Sequence, residues 1–219
     1  MTPRSIEKGL AEFVVVRDQS VRTSLERLFG ARRRTRVAYT ELAEDEKLRL
    51  VGTVPQLKQG PKGQSWLFPI TPEIEATEGR LTSFLTYGAW LDAKPERQSL
   101  VQATAIAALT AVELNRRRVL VVLLGRPSGD LTASSIQDLR RYLRLLGVPL
   151  RVWTTYPESW AAEQHSWGEI EDVSRPARLQ RAVRRARKEL RNQRLLWFEG
   201  RALTREFELS PEADFEIAR

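Results

Sequence analysis

The sequence predicts an α/β fold: a doubly wound, mostly parallel central sheet with helices on both faces. Every position from Val119 to Leu124 is apolar, as is typical of a central parallel strand that is covered on both sides. Along the chain, short apolar stretches alternate with stretches whose apolar residues recur at helical spacing. This alternation indicates strand–helix–strand units with right-handed crossovers.

In the first half of the chain, residues 13–16 ("FVVV") and 47–54 ("KLRLVGTV") predict two strands. Between residues 56 and 63 the string "QLKQGPKG" indicates a hairpin turn or an exposed loop. Thr71 followed by Pro72 predicts the start of a helix, with Thr71 as its cap.

The second half has clearer helical periodicity. Small and apolar residues recur from Leu100 to Val112, and a second helix is predicted between Thr132 and Gly147. "VPLRVWTT", residues 148–155, predicts the next strand. A last helix is predicted after Ser174 as N-cap, and two closing strands, 195–200 and 205–211, are expected to pair with each other. The buried face of that helix is predicted to consist of Leu179, Ala182, Val183, Ala186 and Leu190.

The length of 219 residues favours one domain with extensions. We expect an N-terminal extension over residues 1–12, an α/β domain over 13–200 and a C-terminal strand or tail over 201–219. No apolar run reaches the ~20 residues of a membrane span, and the start of the chain lacks the apolar segment of a signal peptide. The chain as given is therefore expected to be cytoplasmic, or else a mature or trimmed form.

Several enzyme classes lack their essential residues. The chain contains no cysteine and one histidine, His165, for which no Ser or Asp partner has a recognisable spacing. Neither a Walker phosphate loop nor a Gly-x-Gly-x-x-Gly turn is present. We therefore predict a protein without catalytic activity.

The first strand ends in "RDQS", so that Asp18 and Ser20 place a carboxylate and a hydroxyl on one short loop, two oxygen ligands that suit a hard cation. Here the sequence resembles the von Willebrand factor A-type family, and residues 100–155 are similar to the second half of its bacterial branch. The resemblance implies an Asp-x-Ser-x-Ser metal motif whose first two positions are Asp18 and Ser20.

The implied metal site is degenerate in this chain. Arg22 stands where the second Ser of the motif should be, and Gly125–Arg126 replaces the Asp-Gly that ends the fourth strand of the family. Asp130 follows several residues later as a weak substitute. We expect no cofactor, and a Mg²⁺ site at Asp18, Ser20 and Asp130 that is lost or weakened.

The net charge of +8 is concentrated in one segment, since residues 175–194 contain nine basic residues and one acid. We predict a protein–protein interaction or assembly module whose partner has an acidic surface. Its predicted contact residues are Arg126, Ser128, Arg181, Arg184, Arg185, Lys188 and Arg191.

Four alternatives stay open. The charged side of the helix 175–194 could be a solvated face that is partly neutralised by acids elsewhere in the fold. The basic helix 175–194 and the loop 32–36 ("RRRTR") could contact nucleic-acid phosphates, although no nucleic-acid-binding motif accompanies them. A Mg²⁺-dependent hydrolase would require Asp18 and Asp130 to converge. Finally, three tryptophans could form either an exposed patch for a partner or part of the core: Trp153, Trp160 and Trp167.

Overall fold

The structure of the protein is a computed structural model that describes residues 3–21, 41–60, 63–75, 98–112, 116–127, 133–160 and 164–198. The strands of this part are β1 Pro3–Glu7, β2 Ala11–Arg17, β3 Glu46–Gly52, β4 Gln56–Gly60, β5 Gly63–Leu67, β6 Arg117–Leu124, β7 Leu150–Thr154, β8 Ile170–Asp172 and β9 Leu195–Phe198. Its α-helices are α1 Leu100–Val112, α2 Ala133–Leu145, α3 Gln164–Trp167 and α4 Pro176–Asn192.

A five-stranded sheet forms the centre of the fold, with strand order β3-β2-β6-β7-β8 and every pair parallel. β6 lies in the middle, as its apolar sequence predicts, and its residues from Val119 to Leu124 are all buried. The predicted α/β fold with a parallel sheet is confirmed.

Helices cover both faces of this sheet. Successive residues of a strand point to opposite faces, so each strand contributes side chains to the packing on both sides. One face packs against α4 and includes Phe13, Val15 and Val121. The opposite face packs against α1 and α2 and includes Val14 and Val122. The buried stripe predicted for the last helix is confirmed in α4, where its five residues are at most 2% exposed.

The predicted helix start at Thr71 is wrong. Residues 70–74 run antiparallel beside β3, with bridges Leu48–Ile74 and Val51–Ile70. The Thr71 hydroxyl accepts a hydrogen bond from Leu50 N–H at 3.0 Å, and Thr71 N–H donates to Leu50 O at 3.0 Å. Pairing with β3 therefore uses the groups that a helix cap would have used.

The hairpin near residue 60 also differs from the prediction in extent. Residues 56–60, expected as turn or loop, form strand β4, which pairs antiparallel with β5. The described hairpin thus includes two regular strands joined at residues 61–62.

Two further predictions near the C-terminus need correction. The N-cap of α4 is Arg175 rather than Ser174, whose N–H instead donates to Asp172 Oδ1 at 2.8 Å. Strand β9 pairs antiparallel with β1 at the N-terminus, whereas residues 205–211, its expected partner, lie outside the described residues.

The tryptophans are core residues, and the exposed aromatic patch is not formed. Trp153 and Trp160 are 0% exposed and Trp167 is 2% exposed. Within the described part of the chain, no helix has the length and apolar character that crossing a membrane requires.

Candidate functional site

The first candidate site lies where β2 and β6 end side by side. The two strands are in parallel register, with Arg17 opposite Leu123, so the residues that follow them meet at the same edge of the sheet. Asp18 N–H donates to Leu123 O at 3.0 Å and fixes this edge. Ligands of doubly wound folds bind at such carboxyl ends.

Asp18 and Ser20 form a closed turn at this edge. Asp18 Oδ1 accepts hydrogen bonds from the Ser20 N–H and from the Ser20 hydroxyl, both at 2.8 Å. The Ser20 oxygen in turn accepts the Arg126 N–H at 2.8 Å. The Asp18 side chain is 1% exposed, and its Oδ2 has no hydrogen-bond partner among the described residues.

Gly125 fits tightly over this turn. A Cβ added at Gly125 would overlap Ser20 Oγ and lie 3.0 Å from Asp18 Oδ1, so a side chain here would require the turn to move. From the other side, Trp160 Nε1 donates to Gly125 O at 2.7 Å. Glycine is therefore required by close packing at the position where the resembled family has its acid.

The described residues of this edge do not fit a Mg²⁺ site. The Ser20 hydroxyl already donates to Asp18, which leaves Asp18 Oδ2 as the one carboxylate oxygen without a partner. No group of three or more His, Asp or Glu side chains within the described ranges could hold a metal ion. Asp130, the third predicted ligand, lies outside those ranges.

Arg126 is exposed at the mouth of this edge. Its guanidinium lies 5.3 Å from the centre of the Tyr156 ring, within cation–π distance. Its neighbour Ser128 and the basic loop 32–36 lie outside the described residues. Among the predicted contact residues near the strand ends, the structure therefore describes Arg126 alone, and Arg126 lies on the surface.

The second candidate site is the solvent face of α4, where some of the basic residues pair with acids. Arg178 forms an ion pair with Asp172. Arg185 Nη1 lies 3.1 Å from both Glu169 and Glu171. These contacts tie α4 to β8 and to the residue before it.

Arg187 makes the most extensive of these pairs. Its Nε and Nη2 donate to the Glu46 carboxylate at 2.9 and 2.8 Å, and Nη2 also donates to Glu41 O. This bidentate pair joins α4 to the beginning of β3. Arg187 was not among the predicted contact residues, and its role here is structural.

Four exposed basic residues of α4 have no described acid partner, unlike Arg178 and Arg185, which are also exposed, and we call these four the basic stripe. All four are exposed, and none lies within 4 Å of a described acid. Their spacing of three, four and three residues places them along one side of the helix, over about 15 Å. The members of the basic stripe are Arg181, Arg184, Lys188 and Arg191.

A buried ion cluster, which sequence reasoning missed, lies on the opposite side of the sheet. Glu12 is 0% exposed, and its Oε1 is 3.0 Å from Arg49 Nε. Glu73 Oε1 contacts Arg49 Nη2 at 2.5 Å and Arg116 Nη1 at 2.9 Å. The sequence does show charged residues within apolar strands. It does not show which residues they pair with, because their partners are distant along the chain.

The members of this cluster differ in ionisation: in spite of its burial, Glu73 has its pKa lowered by the arginine partners, whereas burial determines the shift at Glu12. Burial raises the pKa of Glu12, and the attraction of Arg49 and Arg116 only partly opposes that effect. Burial also lowers the pKa of the neighbouring Arg118, against the attraction of Glu12. Burial thus opposes the charged forms of Glu12 and Arg118, in a cluster that lies away from the two surface sites.

No protein-family model and no curated protein sequence matches this chain. The candidate sites are therefore judged on their geometry and charge.

Proposed function

We propose that the protein is a non-catalytic interaction module of the von Willebrand factor A type, whose basic stripe binds an acidic surface of a partner protein. The observation that carries this proposal is the stripe itself: four exposed cations on one side of α4 without described counter-charges. Other cations of the same helix do have acid partners. The cations of the stripe thus form no ion pair within the described fold, unlike the other cations of α4.

The family assignment in this proposal is supported by the parallel sheet with helices on both faces and by Asp18 and Ser20 at the end of β2. The closed turn under Gly125 favours a version of the module that works without a metal ion. Arg126, beside this turn, and Ser128, two residues later in the sequence, are proposed as secondary contacts for the partner.

The proposed lack of catalysis has a separate basis. The chain has no cysteine and a single histidine, and the described strand-end edge offers one carboxylate, Asp18.

The proposal is tested with two matched charge reversals. Arg181→Glu/Arg184→Glu alters the basic stripe, and Arg141→Glu/Arg144→Glu makes the same charge change at the same spacing on exposed positions of α2. Both are titrated with a fluorescent polyglutamate peptide and with a short DNA duplex. We expect the stripe variant to lose at least about tenfold in peptide affinity and the α2 variant to retain it.

Other results would overturn the proposal. Equal losses in the two variants would mean that only net charge matters, and an absence of peptide binding by the unaltered chain at low salt would remove the acidic partner. Binding of the duplex but not the peptide, lost in the stripe variant and falling steeply with salt, would favour the nucleic-acid alternative instead.

A further inference from the structure

Within the described ranges, the basic stripe has no counter-charge on the elements that surround it. Acids on the neighbouring strands are engaged by other arginines of α4, Asp172 by Arg178 and Glu46 by Arg187. Within α4, Glu189 contacts Arg151 at 2.7 Å. Like charges three and four residues apart repel one another on a helix, so the stripe favours any anionic segment that can reach it.

Such a segment exists in the same chain. Residues 206–217, "EFELSPEADFEI", contain five acids and no basic residue, and we call them the acidic segment. They also contain four large apolar side chains, which can pack on the aliphatic stems of arginine and lysine. Because the acidic segment lies outside the described residues, the inference rests on its sequence and on the place where it joins the described chain.

The acidic segment follows the stripe closely in the sequence. Helix α4 ends at Asn192, and β9, which ends at Phe198, begins only three residues later. Asn192 and Phe198 are therefore at most about 21 Å apart. Seven residues, 199–205, then lead to Glu206 and span up to about 25 Å, which is long enough for Glu206 to return to the end of α4.

We propose that the acidic segment 206–217 docks on the basic stripe of its own chain and competes there with outside acidic partners. The inference uses the same stripe as the proposed function, but it requires no outside partner. A short tether gives the segment an effective concentration in the millimolar range, so weak contacts between five acids and four bases are enough.

Because the chain has no cysteine, docking is measured by disulfide formation between introduced cysteines. Ser210→Cys labels the acidic segment, and Asn192→Cys labels an exposed, uncharged position beside the stripe. The matched control combines Ser210→Cys with Gln137→Cys, an exposed, uncharged position on α2. The full chain is oxidised slowly, and thiol loss is followed with the size of the product.

We expect an intrachain disulfide to form at least about fivefold faster with Asn192→Cys than with Gln137→Cys. Part of this difference reflects the shorter stretch of chain between residues 192 and 210. The rest, which charge attraction causes, should disappear in about 1 M NaCl, where that attraction is screened. This part should also disappear when the segment is neutralised by Glu206→Gln, Glu208→Gln, Glu212→Gln, Asp214→Asn and Glu216→Gln.

Equal rates at the two positions would overturn the inference, as would a rate that ignores salt and neutralisation. A disulfide-linked dimer in place of the intrachain product would place the segment on a second copy and contradict docking within one chain. A chain without affinity for polyglutamate but with the fast intrachain disulfide would contradict the proposed function alone.

Discussion

The buried ion cluster and the basic stripe lie on opposite faces of the parallel sheet and differ in how their charges are compensated. On the α1 side, Glu12 and Arg49 lie inside the fold as an ion pair, and α1 itself contains no charged residue from Leu100 to Val112. The α4 side also has buried charges with partners, such as Glu46 with Arg187, but the four cations of the basic stripe are exposed and have no described counter-charge. The same sheet therefore separates a buried ion cluster from an exposed basic stripe.

This difference separates charges that hold the fold from charges that serve another purpose. A buried ion pair is costly to disrupt because the remaining partner is left as an uncompensated charge. Exposed like charges add nothing to the fold and repel one another. Substitutions on the α1 side should therefore change stability, and those on the basic stripe should change binding.

The largest effect is expected from Arg49→Leu, which leaves Glu12 and Glu73 with fewer counter-charges. Glu12 is fully buried, so we expect a loss of about 3 kcal/mol in the free energy of unfolding, measured by urea denaturation. Arg184→Leu on the basic stripe is the control and should change it by less than about 0.5 kcal/mol. Equal losses would remove the distinction between the buried ion cluster and the basic stripe.

A smaller loss is expected within α4 itself, from Arg187→Gln. This change removes the bidentate pair with Glu46 while keeping a polar side chain of similar length. We expect the free energy of unfolding to fall by about 2 kcal/mol, with no effect on polyglutamate affinity beyond about twofold. A loss of binding without a loss of stability would show that Arg187 belongs to the contact surface.

The pH dependence of stability tests the buried side separately. Burial raises the pKa of Glu12 in the folded state above its unfolded value, so the folded state binds more protons between the two values. This contribution to stability is present at low pH and is lost as the pH rises through the raised pKa. Glu12→Gln should remove it.

The measurement is the free energy of unfolding of Glu12→Gln and of the unaltered chain at several values between about pH 4 and 7. The difference, variant minus unaltered chain, should become more positive as the pH rises. A difference that stays constant would mean that folding does not shift the pKa of Glu12.

Much of the fold follows from local sequence. β6 is apolar throughout its centre, and the buried residues of α4 recur at helical spacing, so both were predicted without knowledge of their neighbours. The failure at Thr71 arose because a Thr-Pro pair suits a helix cap, whereas its backbone pairs with β3. That pairing depends on residues about twenty positions earlier in the chain.

The candidate sites were also predictable to different degrees, because some of their contacts join residues that are distant in the sequence. The exposed basic side of α4 follows from helical periodicity alone. The division of its cations into those with and those without an acid partner does not, because Arg187 meets Glu46 across 141 residues. Likewise, the contact of Gly125 with the Asp18–Ser20 turn depends on the register of β2 and β6.

The central claim is that the basic stripe is retained for binding and not for folding. Its most direct test is the free energy of unfolding of Arg184→Glu, measured in the chain whose acidic segment has been neutralised. The introduced carboxylate would face Arg181 and Lys188 at helical spacing and replace repulsion by attraction. We predict a gain of about 0.5 kcal/mol together with weaker polyglutamate binding; a clear loss of stability would contradict the claim.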